Sequence, residues 1–315
     1  MRNNGQIVNN SISKGIIHTG LDPAALNYQE VDKFLEMAYE STEFLKGIRI
    51  ETRAGSKGTI DKLGVTGRNL RKKREGNTAG KQTEPVYQQV PYSVVPVTLQ
   101  YEITEEKIRM EERVRKQNIE DIIMGGMTKN FGENMQDLGF NGDIATLNTN
   151  PDYDFLNIAD GWLKKARQKG NLVDWATLDA AGKLGVFFRL ERAVPTRLRN
   201  SGQFKYFMHP NTFSERLEHL ASLDTSASIQ IQILGAQKKI NSYEVEEVPH
   251  MPEGVVLFTY KSNFVIVNTY DMIIRKTTEG KAAVTEDKRF YATHADGDFI
   301  FEEPGAVAMT EGVQF

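Results

Sequence analysis

The segment from Lys46 to Lys81 constrains this chain most, because it combines concentrated positive charge with many glycines. It holds eleven basic residues against three acidic ones, a net charge of +8, whereas the whole chain carries -3. Seven of its 36 residues are glycine and few are large and apolar, so it cannot build a core of its own. The remaining chain carries -11. We therefore expect the segment to leave the body of the fold, as a solvated loop, as a nucleic-acid-binding arm or as an arm that docks on an acidic neighbour; the acidic remainder favours docking on another copy.

The composition indicates a folded protein and excludes several kinds of chemistry. Apolar residues make up 39% and charged residues 26% of the 315 residues, which is enough chain for about two domains. Cys is absent, which excludes disulfides, thiolate zinc sites, iron–sulfur clusters and a Cys nucleophile. The sequence has no run of 18 apolar residues and a polar beginning, so we expect neither membrane insertion nor export by a signal peptide.

No catalytic motif is evident. The string from Gly76 to Thr83 is the most similar to a phosphate-binding loop, but three residues instead of four separate its glycines, and Gln follows the Lys. The His residues lack metal-ligand spacing, and the carboxylates near Glu105 alternate with Lys and Arg, as on a solvated face. We predict a protein that is not an enzyme and binds neither a cofactor nor a metal.

Hydrophobic spacing predicts an arm, a short helix and a ribbon in the N-terminal third. A polar arm leads into a helical pattern at Tyr28 to Leu45. Strand patterns at Gly47 to Arg53 and at Val86 to Leu99 predict a two-stranded ribbon whose distal part is basic and Gly-rich. Pro91 and Pro96 cannot donate to a neighbouring strand, so the returning strand is expected at an edge.

An unusually long helix is predicted next. Thr104 is a suitable N-cap, and Glu105 and Glu106 favour the positive end of the helix dipole. Apolar residues at helical spacing continue to about Gln136, so about 34 residues would extend roughly 50 Å. The first half is almost wholly charged and must face water or a charged partner.

The C-terminal half has the pattern of a mixed α/β region without an internal repeat. It is expected to close with a turn at Asp296-Gly297-Asp298 and a last strand from Pro304. The predicted helices are near 158–168, 179–194 and 212–223, and the predicted strands are 204–208, 229–233, 255–260, 264–268 and 272–275.

Taken in order, these segments resemble the major capsid protein of tailed bacteriophages, which has the Hong Kong 97-like fold, from about residue 27 onward. The resemblance lies in the order and spacing of four stretches. They are Val94-Val-Pro-Val-Thr-Leu, Tyr101-Glu-Ile-Thr-Glu-Glu, Phe204-Lys-Tyr-Phe-Met-His-Pro-Asn-Thr, and Arg289-Phe-Tyr-Ala-Thr through Asp296-Gly-Asp to Pro304-Gly-Ala-Val-Ala.

The resemblance implies an α+β chain with an N-terminal arm, an extended β-hairpin called the E-loop, a peripheral domain with a long spine helix, and an axial domain. The implied ranges are 1–44 for the arm, 45–101 for the E-loop, 102–180 with strands at 269–300 for the peripheral domain, and 181–268 with 301–315 for the axial domain.

The implied function is that of a major capsid protein, which self-assembles through hexamers and pentamers into the icosahedral head around the double-stranded DNA of a tailed phage. The expected location is the virion, after assembly in the host cytoplasm. Expected partners are further copies, a portal, a decoration protein and packaged DNA bound without specificity, but no membrane. No long charged helical segment precedes the arm, so either such a segment has been removed from the mature chain or a separate scaffolding protein is used; a scaffolding protein is therefore among the expected partners.

In the family that the chain resembles, the E-loop lies over an adjacent subunit. The uneven charge suggests that the basic loop of one copy seeks the acidic first half of the next copy's spine helix. The expected docking residues of the loop are Arg53, Lys57, Lys62, Arg68, Arg71, Lys72, Lys73, Arg74 and Lys81. The expected acidic partner face is Glu105, Glu106, Glu111 and Glu112.

Two alternatives stay open at the level of sequence. An encapsulin has the same fold but encloses enzymes instead of a genome. A nucleic-acid-binding protein, from a different class, would use the basic segment 68–81 to hold phosphates, and its affinity would fall with salt with a slope of about -0.9 per phosphate neutralised. Shells seen by electron microscopy, and the nucleic acid within them, distinguish these interpretations.

Overall fold

The computed structural model describes most of the chain. The described residues are 18–19, 36–40, 42–64, 86–106, 110, 119–179, 183, 185–199, 203–222, 238–269, 273–277 and 285–315. Helices and strands are mixed throughout, which confirms the α+β class. In these ranges, no helix has the length and apolar character that crossing a bilayer requires.

The elements are numbered in chain order. The strands are β1 (His18–Thr19), β2 (Arg49–Arg53), β3 (Lys57–Gly64), β4 (Val86–Ser93), β5 (Val95–Thr104), β6 (Asn171–Leu172), β7 (Phe204–Met208), β8 (Lys239–Ile240), β9 (Tyr243–Glu247), β10 (Val256–Tyr260), β11 (Phe264–Thr269), β12 (Ile273–Thr277), β13 (Lys288–Phe301) and β14 (Ala308–Thr310). The helices are α1 (Ile119–Asn141), α2 (Tyr153–Leu156), α3 (Trp162–Lys169), α4 (Val186–Ala193), α5 (Thr196–Arg199) and α6 (Pro210–Ser222). Short 3-10 helices lie at Trp175–Thr177, Lys261–Asn263 and Pro304–Ala306.

The first sheet has the order β1-β12-β13-β11-β2, and β5 also pairs with β13. The β5–β13 ladder is antiparallel and contains ten residue pairs. Along β5, Val95, Val97 and Leu99 pack against the core while the residues between them are exposed, as expected of a strand with one buried face. Strand β11 belongs to this sheet although its first residues fall within the range expected for the axial domain, whose boundaries stay a prediction.

The second sheet has the order β6-β14-β10-β7-β9-β8. Helix α4 covers part of it, because its Val186, Phe187 and Leu190 form one buried stripe. This stripe packs in the same cluster as Tyr206 of β7 and Phe258 of β10. The apolar spacing of α4 therefore anchors the helix and leaves its other face exposed.

An aromatic cluster joins the two sheets. Trp162 lies at its centre, with ring centroids 5.2 Å from both Phe140 and Phe264 and 6.1 Å from Phe44. Phe264 belongs to the first sheet and contacts Phe207 of the second at 5.1 Å. The Trp162 indole is fully buried and donates to the Ile300 carbonyl at 3.1 Å. The two sheets thus share one core.

Helix α1 is the described part of the predicted spine helix. Residues 105–106 and 110 are also helical, whereas 107–109 and 111–118 lie outside the described residues. The predicted apolar stripe is confirmed by the burial of Met127, Phe131, Met135 and Leu138. The helix ends at Asn141 instead of near Gln136, and a Cβ on the following Gly142 would lie 2.3 Å from the Ala159 carbonyl oxygen.

The predicted partners of the ribbon are partly wrong. Strand β2 does not pair with the returning strand but lies parallel to β11, while β3 and β4 form the hairpin. The physical reason is that β11 is buried along its whole length, so both of its edges need hydrogen-bonding neighbours. The expected edge position of the returning strand is confirmed for the described residues, where β4 pairs with β3 alone.

The predicted turn at Asp296-Gly297-Asp298 is wrong, because these residues lie inside β13. The strand exchanges its β5 partner for β11 there, and the two carboxylates satisfy neighbouring groups. Asp296 accepts from the Thr269 amide at 2.8 Å, and Asp298 accepts from the Ser93 amide at 2.9 Å. Residues that usually form turns serve as cross-strand acceptors here.

Most of the other predicted elements are close to those observed, but the last strand, predicted from Pro304, begins only at Ala308, after a 3-10 helix at Pro304–Ala306. The helix expected near 158–168 is α3, and the one expected at 212–223 is α6. The helix expected at 179–194 is shorter and corresponds to α4. The strand predicted at 229–233 lies outside the described residues, as does half of the helix predicted at 28–45. Of the other half, 36–40 is helical, whereas 42–45 forms a bend and a turn.

The buried carboxylate of Asp298 provides a test of this packing. Its side chain is 8% exposed and pairs with the Lys165 ammonium at 2.6 Å. We expect Lys165→Met to lower the free energy of unfolding by about 3 kcal/mol, because it leaves a buried charge without its partner. Urea unfolding of the subunit measures this. The control is Lys164→Met, which removes a more exposed pair with Asp143 and should cost less than about 1 kcal/mol; equal losses would contradict the interpretation.

Candidate assembly surface

The E-loop begins as the β3–β4 hairpin. The register runs from Lys57 opposite Ser93 to Gly64 opposite Val86, so the two strands pair along their full length. The chain between these strands, residues 65–85, lies outside the described residues. The hairpin leads directly into β5 and hence into the long ladder with β13.

The base of the hairpin packs on its own subunit. Ile60, Val90 and Tyr92 are buried in one apolar cluster with Val265 of β11 and Ile300 of β13. The expectation that the basic segment leaves the body of the fold is therefore wrong for β2, which pairs with β11, and for the base of the hairpin. Only the part beyond the base remains a candidate docking arm.

The nine basic docking residues fall into three groups. Arg53 forms an ion pair with Glu51 of the same chain at 3.0 Å. Lys57 is exposed and has no ion pair within the described part of the chain. Lys62 lies in β3, but its side chain is not described, and the remaining six lie outside the described residues: Arg68, Arg71, Lys72, Lys73, Arg74 and Lys81.

The proposed acidic partner face is also divided. The Glu105 carboxylate binds the Arg289 guanidinium of β13 through both of its oxygens, one of them at 3.1 Å from Nη2. Hydrogen bonding to Glu105 raises the pKa of Arg289. Glu106 is exposed and has no ion pair among the described residues, while Glu111 and Glu112 lie outside them. Glu105 thus already has a partner in its own chain.

This difference predicts separate effects for two neighbouring carboxylates. Glu105→Gln should lower the free energy of unfolding by about 1–2 kcal/mol, because a charge-assisted pair is weakened. Glu106→Gln should leave it within about 0.5 kcal/mol of wild type and instead slow assembly. Chemical unfolding and light scattering measure the two properties. Equal effects of both substitutions on stability would contradict the assignment.

A second charged surface escaped the sequence analysis. We call it the cationic face, and it contains one exposed aromatic and five basic residues: Lys183, Phe188, Arg189, Arg192, Arg197 and Arg199. The one acidic residue of this stretch, Glu191, turns inward and accepts from Tyr206 Oη at 2.7 Å and from Asn241 Nδ2 at 2.6 Å. The signal was a local charge run, five basic residues against one acid between 183 and 199.

None of the five basic residues has an ion pair with a described residue. Lys183 lies over the Trp175 ring at 5.3 Å, and Arg199 donates to Thr196 Oγ1 at 3.3 Å. Nearby, Arg216 of α6 lies over the Phe187 ring at 4.6 Å, and burial lowers its pKa to about 10. The cationic face therefore keeps most of its charge available for an external anion.

Metal binding has no candidate site among the residues that the structure describes, since no three His, Asp or Glu side chains converge there. The pockets in the same part of the chain are open clefts. One of these clefts has a volume of about 740 Å³ and is lined by Lys129, Glu133 and Lys205 among others. Several of its lysines are already paired, for example Lys261 with Glu246 at 2.5 Å. The candidate functional features of the described residues are therefore the charged surfaces given above, which could bind another macromolecule.

Comparison with known proteins gives matches of structure alone. No protein-family model and no curated sequence matches the chain. A chain of the satellite phage P4 procapsid matches with a TM-score of 0.68 and 17% identity, covering 90% of this chain and 100% of that one. The capsid of an empty GTA particle matches with a TM-score of 0.57 and 11% identity, covering 86% and 89%. Microbacterium phage Oxtober96 gives 0.52 and 13%, covering 86% and 90%.

These similarities establish the fold, which is that of the shell proteins of phage capsids. They extend over 86–90% of the chain. The expected Hong Kong 97-like fold of tailed-phage major capsid proteins is thereby confirmed.

Proposed function

We propose that this chain is the major capsid protein of a tailed bacteriophage and self-assembles into the icosahedral head that encloses double-stranded DNA. The observation that carries the proposal is the structural similarity to a procapsid chain, which is matched over 100% of its length by 90% of this chain. The β3–β4 hairpin has a buried base, and the sequence between its strands is basic, so this segment is the proposed means of reaching a neighbour.

The strength of the proposed contacts between subunits suits an assembly that repeats many weak contacts. An exposed ion pair contributes only about 0–1 kcal/mol, so one basic loop on one acidic surface does not hold two subunits together. In a closed shell every subunit both gives and receives such contacts, and their combined effect stabilises the assembly. The subunit then needs no catalytic step, and its proposed partners are copies of itself, a scaffolding protein, a portal, a decoration protein and the packaged DNA.

Electron microscopy of the purified wild-type chain tests the proposal. We expect closed shells above a threshold concentration, and a fast-sedimenting species beside the free subunit in sedimentation velocity. Shells that retain double-stranded DNA when produced during infection would support a phage head, whereas enclosed enzymes would support a compartment. A chain that remains monomeric at all concentrations, with and without its scaffolding partner, would contradict the proposed function.

A further inference from the structure

Two surfaces of the described chain expose large apolar side chains beside unpaired charges of opposite sign. On the cationic face, Phe188 is 52% exposed, and Leu172, which lines a groove together with Arg189, is 55% exposed. On the loop that follows the spine helix, Ile144 is 56% and Leu147 is 73% exposed. Exposed apolar side chains that are grouped together on a surface are typical of a region that another protein covers.

The cationic face borders an open groove of about 550 Å³. Leu172, Val173 and Leu178 give the groove an apolar floor, and Arg189 and Arg192 of α4 stand at its side. The acidic residue in the groove, Asp174, already accepts from the Ala176 amide at 3.0 Å. Apolar surface bordered by arginines is the composition that protein–protein interfaces favour.

The loop has the complementary character. We call it the acidic loop. The exposed residues that give it this character are Ile144, Leu147, Asp152 and Asp154. Asp152 stands at the N-cap of α2 but makes no side-chain capping bond, and neither it nor Asp154 has an ion pair with a described residue. The other carboxylate of the loop, Asp143, is held by Lys164 at 2.9 Å.

Backbone hydrogen bonds hold the acidic loop in a defined shape. The Asp143 amide donates to the Leu156 carbonyl at 2.8 Å, and the Thr146 amide donates back to the Asp143 carbonyl at 3.0 Å. The Ile144 amide donates to the Asp160 carboxylate at 3.1 Å. The loop therefore presents its apolar and acidic side chains at a small entropic cost of binding.

We propose that the acidic loop of one copy docks on the cationic face of the next copy, with Ile144 and Leu147 in the groove and the two free carboxylates on Arg189 and Arg192. This docking rests on the proposed function, and it specifies two surfaces through which neighbouring subunits would bind each other. A second copy fits better than nucleic acid, because the loop offers apolar groups for the groove floor as well as negative charge. The contact joins two different surfaces and can therefore close into a ring.

Disulfide trapping tests the contact directly, since the chain has no Cys of its own. Leu147→Cys combined with Phe188→Cys should give a ladder of linked multimers on a non-reducing gel, because each copy then bonds to two neighbours. Leu147→Cys with Leu172→Cys is a second pair that should behave likewise. Each single variant should stay unlinked alone, and a mixture of Leu147→Cys with Phe188→Cys chains should give dimers only. Absence of the ladder from both pairs would overturn the docking.

Charge reversal gives an independent test. Arg189→Glu with Arg192→Glu, and separately Asp152→Arg with Asp154→Arg, should each slow assembly about tenfold or more in light scattering. All four substitutions together should restore the rate to within about threefold of wild type, because opposite charges meet again. Unchanged thermal unfolding shows that each variant is folded. Failure of the fourfold variant to recover would overturn the pairing of these two surfaces.

The outcomes separate this inference from the proposed function. Shells that form without any ladder would overturn the docking and leave the shell function standing. A wild-type chain that never assembles would overturn the shell function and the docking together. If the Arg189→Glu, Arg192→Glu variant assembles normally but loses retention of DNA in a filter-binding assay, the cationic face binds phosphates and the docking is overturned.

Discussion

Deletion of residues 68–81 is expected to leave a folded subunit that no longer assembles. The base of the E-loop stays intact, because β3 and β4 remain paired as far as Gly64 and Val86 and their buried cluster is untouched. The deletion removes six of the nine basic residues expected to dock. Thermal unfolding should stay within about 5 °C of wild type, while electron microscopy and sedimentation should show free subunits at concentrations where wild type forms shells.

A charge-only variant identifies the cause. Replacement of four consecutive basic residues by Gln, namely Arg71, Lys72, Lys73 and Arg74, keeps the length of the loop and removes most of its local charge. We expect assembly to weaken and to lose part of its salt dependence. A Gly/Ser segment of equal length in place of 68–81 serves as the length-matched control. Normal shells from the deletion variant would rule out the loop as a docking arm.

The second large effect is expected at the centre of the aromatic cluster. Trp162→Ala should lower the free energy of unfolding by about 3–5 kcal/mol, because it leaves a cavity at a fully buried position between the two sheets. Neighbouring rings at about 5 Å cannot collapse into this space without disturbing both sheets. Urea unfolding of the unassembled subunit measures the loss, and assembly should fail as a consequence.

Two further variants calibrate this loss. Trp162→Phe keeps most of the packing and removes the hydrogen bond to the Ile300 carbonyl, so its cost should be intermediate, about 1–2 kcal/mol. Phe188→Ala truncates an exposed aromatic side chain and should cost less than about 0.5 kcal/mol. Similar losses for Trp162→Ala and Phe188→Ala would contradict the description of the core.

The sequence predicted those features that depend on local periodicity. The apolar stripe of α1, from Met127 to Leu138, is read from residue spacing and is buried as expected. Four strands of the second half, β7, β10, β11 and β12, were predicted to within about two residues, because short apolar runs between turn residues indicate buried strands. The short strands β6, β8 and β9 were not predicted. The order of the predicted elements resembles that of tailed-phage major capsid proteins, and this resemblance was sufficient to predict the fold class.

Pairing between distant segments could not be predicted in the same way. Strand β2 pairs with β11, more than 200 residues away, and no local pattern encodes that choice. The Asp-Gly-Asp sequence of β13 reads as a turn because its role depends on Ser93, Lys165 and Thr269, which are remote in sequence. Glu105 looked like free acidic surface for a related reason, since Arg289 lies 184 residues away.

The ten-pair ladder between β5 and β13 has a mechanical consequence. Because β5 continues directly from the returning strand of the E-loop, a pull on that loop acts along the length of the ladder. Load in this direction must break many backbone hydrogen bonds at once instead of peeling them off singly. A subunit with this geometry resists tension that is applied through its E-loop. When a filled shell expands, the strain should therefore be released at the contacts between subunits before any subunit unfolds.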